Sequence, residues 1–120
     1  MTLAKTGLGA VVECSGGSNT DIVAVENEGK NIYVRGLLIF NTKTTGTQVC
    51  EIHVMNNHSG SEQNKTDSNK IGRLTLTPSD TAFFEFPYPL TLTTQHDRIV
   101  LSNALGNEEV NVLPIGDKES

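Results

Sequence analysis

Ile71-Gly72-Arg73-Leu74-Thr75-Leu76, then Phe84-Glu85-Phe86-Pro87-Tyr88-Pro89-Leu90-Thr91-Leu92, then Ile99-Val100-Leu101-Ser102 form the stretch on which the fold is read. Short apolar runs, several of them alternating at period two between turn residues, mark strands and speak against amphipathic helices. The polar members are mostly Thr, Ser and Asn rather than clustered acids, histidines or bases, so the pattern describes a scaffold and offers no reaction centre.

Working outward, the same pattern recurs along most of the chain. Ala10 to Cys14 and Asp21 to Val25 are strand-like runs on either side of Ser15-Gly16-Gly17-Ser18-Asn19, a spacing that fits a hairpin. Asn31 to Asn41 is the most hydrophobic run, with Ile32, Val34, Leu38 and Phe40 expected on one side, Tyr33, Leu37 and Ile39 on the other, and both faces covered. Across the Thr-rich turn at Thr42 to Thr47, Gln48 to Met55 alternates Cys50, Ile52 and Val54 with a wetter Glu51 and His53, and is expected to pair antiparallel with the run before it. Asn56 to Lys70 contains no aliphatic or aromatic residue apart from the flanking strands and reads as a long exposed flap. Pro87 and Pro89 bar central-strand pairing at that point. With Val110 to Ile115 as the last run and no internal repeat or heptad, the expected fold is all-β, an antiparallel β-sandwich or jelly roll of about eight strands. Residues 10–120 form that domain; residues 1–9, with two glycines and no burial pattern, read as a flexible N-terminal arm that orders against a neighbour.

The length of 120 residues is enough for one core without staples. A net charge of −5, from 14 acids against 9 scattered bases, argues against a nucleic-acid surface. The N-terminal run lacks the apolar core of a signal peptide and no stretch reaches membrane-spanning length, which points to a protein made in the cytosol, with no membrane partner. Cys14 and Cys50 stand far apart in strand-like runs and read as free, buried thiols, with a disulfide as the alternative; their spacing is no metal signature.

Candidate chemistry is sparse. Of His53, His58 and His96, only His96 has an acid beside it, Asp97, and strand neighbours point to opposite faces; Thr94 to Asp97 reads instead as a turn in which Asp97 bonds local amides. Asp67-Ser68-Asn69 with Gly72 is an incomplete calcium loop without its downstream Glu. Asn57-His58-Ser59 and Asn64-Lys65-Thr66 match a glycosylation sequon by chance in an Asn/Thr-rich segment. No catalytic, cofactor or metal residue is assigned. With aromatics at 5% and no Trp, Phe40, Phe84 and Phe86 are expected in the core, leaving Tyr33, Phe83 and Tyr88 as surface anchors, with a second core layer as the alternative for Phe83. Together with Leu3 and Leu8 of the arm, these three are the expected partner contacts.

About two-thirds of the chain, from Asn31 onward, resembles small β-sandwich virion proteins of tailed bacteriophages, the capsid decoration (cement) and tail or neck accessory proteins. The resemblance rests on Tyr33 to Asn41 as an inner strand ending in Asn, Val49 to Val54, a polar insertion, Leu74-Thr75-Leu76-Thr77-Pro78-Ser79-Asp80-Thr81, and Pro89 through Ser102; His96 departs from it, standing where similar turns often carry Gly. It implies a non-catalytic structural protein of the virion, made in the host cytoplasm. Such a protein self-associates, by this likeness as a trimer or higher cyclic oligomer, and contacts a major capsid protein or a tail protein. The rival reading is a receptor-binding tip or carbohydrate-binding module using the 56–70 loop and Tyr88.

Overall fold

The structure is a computed structural model that describes residues 5–8, 10–15, 20–25, 30–55, 69–93, 97–103 and 109–119. Among the described residues nine strands follow one another: β1 (Lys5–Gly7), β2 (Val12–Ser15), β3 (Thr20–Ala24), β4 (Ile32–Asn41), β5 (Gln48–Met55), β6 (Lys70–Leu76), β7 (Thr81–Leu92), β8 (Arg98–Asn103) and β9 (Glu109–Glu119). They form two sheets, and every pairing is antiparallel. Sheet A runs β1-β9-β4-β7 with β2 also on β9; sheet B runs β3-β8-β5-β6. The chain is an all-β sandwich.

Two local expectations are corrected. β2 and β3 do not make a hairpin, because β2 lies on β9 in sheet A and β3 on β8 in sheet B. β4 and β5 likewise lie in opposite sheets. The chain alternates between sheets at almost every turn, and β5–β6 alone joins consecutive strands of one sheet as ladder partners. Turn residues signal a reversal of direction but not whether the returning strand lies beside its predecessor or across the sandwich from it.

The reading of residues 1–9 as an arm is revised for Lys5–Gly7, which pair with Asp117–Glu119 of the same chain. β1 and β2 share one register on β9: residues 8–11 separate them on one side and residues 113–116 on the other. The ladder lapses opposite Pro114. Glu119 N–H donates to Asn31 O and Glu109 O accepts from Thr42 N–H, so the odd-numbered backbone groups of β9 turn toward β4 and the even-numbered ones away from it. Pro114 therefore lacks its donor on the β1/β2 side, where the pairing is interrupted, and leaves the β4 ladder whole.

The core fills the space between the sheets. Val34, Leu37 and Ile39 of β4 and Val112 of β9 meet Ile52 of β5 and Ile99 of β8, all fully buried. Each such aliphatic side chain contributes roughly 1.5–3 kcal/mol by leaving water. Phe84 reaches across from β7 to close one side: its ring lies where a side chain on Gly72 of β6 would stand, a Cβ there falling 2.5 Å from it, and it meets Phe86 edge-on at 5.5 Å.

Asn41, fully buried at the end of β4, ties three chain segments together. Its Nδ2 donates to Thr77 O at 2.9 Å, Leu76 O at 3.2 Å and Gly46 O at 3.3 Å, while its Oδ1 accepts from Lys43 N–H at 3.0 Å. The neighbouring turn is closed by Asp80 N–H to Thr77 O, with Pro78 at its second position and Ser79 at φ 59°. Asn41→Ala strands carbonyls of both turns in a buried site, so a loss of roughly 2–4 kcal/mol is expected in urea unfolding; a loss below about 1 kcal/mol would show that the turns hold without it.

Candidate interaction face and a buried polar network

The outer face of sheet A is set by a break in alternation within β4. Val34 pairs with Gly116 and Gly36 with Ile115, leaving Arg35 as an extra residue against β9. On the β7 side the same Arg35 stands opposite residues 86–89, between the pairs Val34–Leu90 and Gly36–Glu85. The bulge shifts the inward set from Ile32 and Val34 to Leu37, Ile39 and Asn41. Leu38 and Phe40 thus point outward and are exposed, contrary to the expectation that they share a covered side with Ile32 and Val34. Phe40 is accordingly not a core residue, whereas Phe84 and Phe86 pack against the core as expected.

One apolar row crosses the sheet, with Leu38 opposite Phe83 of β7 and Leu113 of β9. The register of β2, carried one residue back, sets exposed Val11 level with Leu113. Phe83 is 48% exposed and its ring lies diagonally over Gly36, where a Cβ would fall 2.6 Å from it. The adjoining positions carry Phe40 and Ile115. Around this centre stand Glu85, Glu13 and Arg35, all exposed, and the half-buried Asp117.

The other expected contacts separate. Tyr88, at the tip of the Pro87-Tyr88-Pro89 bulge on the β7 edge, is 84% exposed. Tyr33 is half-buried; its hydroxyl donates to Glu119 Oε1 at 2.9 Å and accepts from Asn31 Nδ2 at 3.5 Å, so it fastens the end of the β4–β9 ladder. Leu8 packs against the core rather than projecting from an arm, and Leu3 lies outside the described residues.

Across the sandwich, β6 is an edge strand of sheet B. A register shift between Ile52–Gly72 and His53–Lys70 leaves Ile71 out of the ladder and 43% exposed. Lys70 Nζ lies 2.9 Å and Arg73 Nη1 3.7 Å from Glu51 Oε2, so two cations share one carboxylate. The hydrogen bond from Lys70, with the charges of Lys70 and Arg73, holds the Glu51 carboxyl below its ordinary range despite some desolvation.

Sequence reasoning missed a polar network on β5 and β8. His53, expected on the wetter face, is 2% exposed. Its Nδ1 lies 2.6 Å from Asn69 Oδ1 and its Nε2 3.3 Å from Ser102 Oγ. Asn69 Oδ1 only accepts, so Nδ1 carries the proton and Nε2 accepts from the Ser102 hydroxyl. The connectivity is that of a nucleophile, base and orienting group. Ser102, however, has 0% exposure, so no acyl group reaches its oxygen and the network acts as a buried pin between strands. The pairing of Glu51 with Ser102 and of His53 with Val100 across the β5–β8 ladder was the available signal, but it requires the strand order.

Cys14 and Cys50 are buried and not joined in a disulfide, and burial pushes the Cys14 thiol up against a smaller opposing effect of a hydrogen bond with Thr20. Asp97 is buried and its Oδ2 accepts from the local amide Thr93 N–H at 3.3 Å, as expected, while residues 94–96 of the expected turn lie outside the described residues. His58, His96 and Asp67-Ser68 lie outside the described residues, among which no cluster of three or more His, Cys, Asp or Glu is placed to hold a metal. No helix among them is long and apolar enough to cross a membrane. No family model, characterised protein or solved structure matches the chain.

Two outcomes follow from this arrangement. Ser102→Ala removes the donor to buried Nε2 and is expected to cost about 1–3 kcal/mol, while a fluorophosphonate leaves native Ser102 unmodified by mass spectrometry; labelling would mean that the site opens. Because the Glu51 carboxyl sits lower when folded than when unfolded, its contribution is present above the ordinary carboxylate range and fades as pH falls through the folded value. From pH 7 to pH 3, wild type should therefore lose about 0.5–1 kcal/mol more than Glu51→Gln in chemical unfolding, the size of a partly exposed ion pair.

Proposed function

We propose that this chain is a non-catalytic structural protein of a virus particle, a capsid decoration (cement) protein of the tailed-phage kind that self-associates and stabilises the particle by contact with the major capsid protein. The observation that carries the reading is the apolar outer face of sheet A, where Phe83, Leu38 and Phe40 stand exposed side by side on a rigid sheet rather than singly. A subunit that lives packed among others has use for such a face; a protein that works alone in water does not. The sandwich beneath it and the sequence likeness to phage accessory proteins agree with this role, and a serine sealed from substrate fits a scaffold better than a hydrolase.

A tail or receptor-binding component, or a glycan-binding module, is favoured by one observation only: Tyr88, held out between two prolines, is a ready stacking surface for a sugar. Sedimentation velocity across micromolar concentrations, together with a glycan array, separates the two. The expected outcome is a discrete oligomer, by the family likeness a trimer, with no glycan signal; a monomer that binds glycans through Tyr88 would replace this reading with the second.

A further inference from the structure

We infer that two copies of this chain stack through the outer faces of sheet A, related by a two-fold axis that runs along the strands between β4 and β9. This rests on the self-association proposed above, names its surface, and sets the number of copies at two where the family likeness alone gives three. Four of the six large apolar side chains exposed among the described residues, Val11, Leu38, Phe40 and Phe83, lie on this one face, so a single contact covers most of them. The strands β7, β4, β9 and β2, about 4.8 Å apart, and the length from Glu109 to Asp117, at about 3.3 Å per residue, span roughly 500 Å² of flat face. Two copies thus cover about 1,000 Å² before side-chain relief is added, which reaches the size of a specific contact.

The ladder registers fix what meets what. Stacked sheets keep their strands nearly aligned, and a two-fold axis along the strands exchanges β7 with β2 and β4 with β9 while keeping each residue at its own level. Phe83 of one copy then meets Val11 of the other, and Leu38 meets Leu113. Ile115 comes down on Gly36, against the Phe83 ring that lies over it. Glu13, level with Phe40, and Glu85, level with Gly36, stand at opposite corners of the face, so the two acids do not meet.

Charge decides the direction of the axis. Arg35 is exposed between the Val34–Gly116 and Gly36–Ile115 levels, and under this axis it faces the Ile115 to Asp117 stretch of the second copy, where Asp117 shares the outer side with Tyr33. Neither Arg35 nor Asp117 is engaged in an ion pair among the described residues. Two Arg35–Asp117 pairs form, one on each side of the axis. An axis across the strands would turn β9 end for end about Leu113 and set Asp117 against Glu109, and like charges brought together at an interface are costly. Around a three-fold axis the inner strands β4 and β9 would look onto a central gap while the outer strands touch, so the match between Arg35 and Asp117 belongs to two copies.

The experiment uses two charge reversals, Arg35→Glu and Asp117→Arg, with circular dichroism to confirm folding and Asp117→Lys in place of Asp117→Arg should the latter fail to fold. In sedimentation across micromolar concentrations wild type is expected as a dimer. Each variant alone brings like charges together twice and is expected to associate roughly tenfold or more weakly. Mixed in equal amounts, the two variants restore both pairs, and dimers of one copy of each are expected at wild-type strength. A ring of three cannot be rescued in this way, because two kinds of copy in three places always leave one like pair. A wild-type trimer, or a mixture no stronger than the variants alone, overturns the two-fold contact while self-association stands. Variants that each associate as wild type does show the face to be wrongly assigned. If wild type is itself monomeric at hundreds of micromolar, self-association fails and this contact with it.

Discussion

The outward character of the molecule depends on one irregular residue. In a strand whose side chains alternate strictly, a single extra residue exchanges the two faces beyond it, and Arg35 does this in the middle of β4. Without the bulge, Leu38 and Phe40 would continue the inward line of Ile32 and Val34, and Leu37 and Ile39 would face solvent. With it, Leu37 and Ile39 fill the sandwich and Leu38 and Phe40 are left outside beside Phe83. The same residue faces the Phe86 to Pro89 excursion of β7, so one point in the sheet both turns β4 over and lifts Tyr88 clear of the edge.

The strands themselves were legible because Thr, Val, Ile and Leu alternate between turn residues, and the edge position of β7 was legible from Pro87 and Pro89. The sheet order was not. Both proposed hairpins, across residues 16–19 and across Thr42 to Thr47, join strands of opposite sheets, and the second of these turns is shaped by the Asn41 side chain rather than by ladder bonds. An Asn at the end of an apolar run is visible in a sequence; that its amide spans Gly46 and Leu76 is a fact of three dimensions.

The buried network was hidden for a related reason. His53 alternates with aliphatic residues in β5 and so looks like a solvent-facing member of a half-buried strand, yet β5 and β8 are the inner strands of sheet B and both of their faces are largely covered. Burial forces the imidazole to find partners for both nitrogens, and Asn69 and Ser102 supply them. A constellation that elsewhere activates a hydroxyl serves here to hold β5, β6 and β8 in one arrangement.

The place of β9 bears on how such a chain is made. It follows every other strand in the sequence, yet it lies inside sheet A, between β4 on one side and β1 and β2 on the other. Until β9 is in place, β4 has one backbone edge bare and β1 and β2 lack the strand they pair with, so sheet A is held together around β9. Leu38 and Phe83 meet on β4 and β7 alone, and Leu113 completes the apolar row across the sheet once β9 is seated beside them.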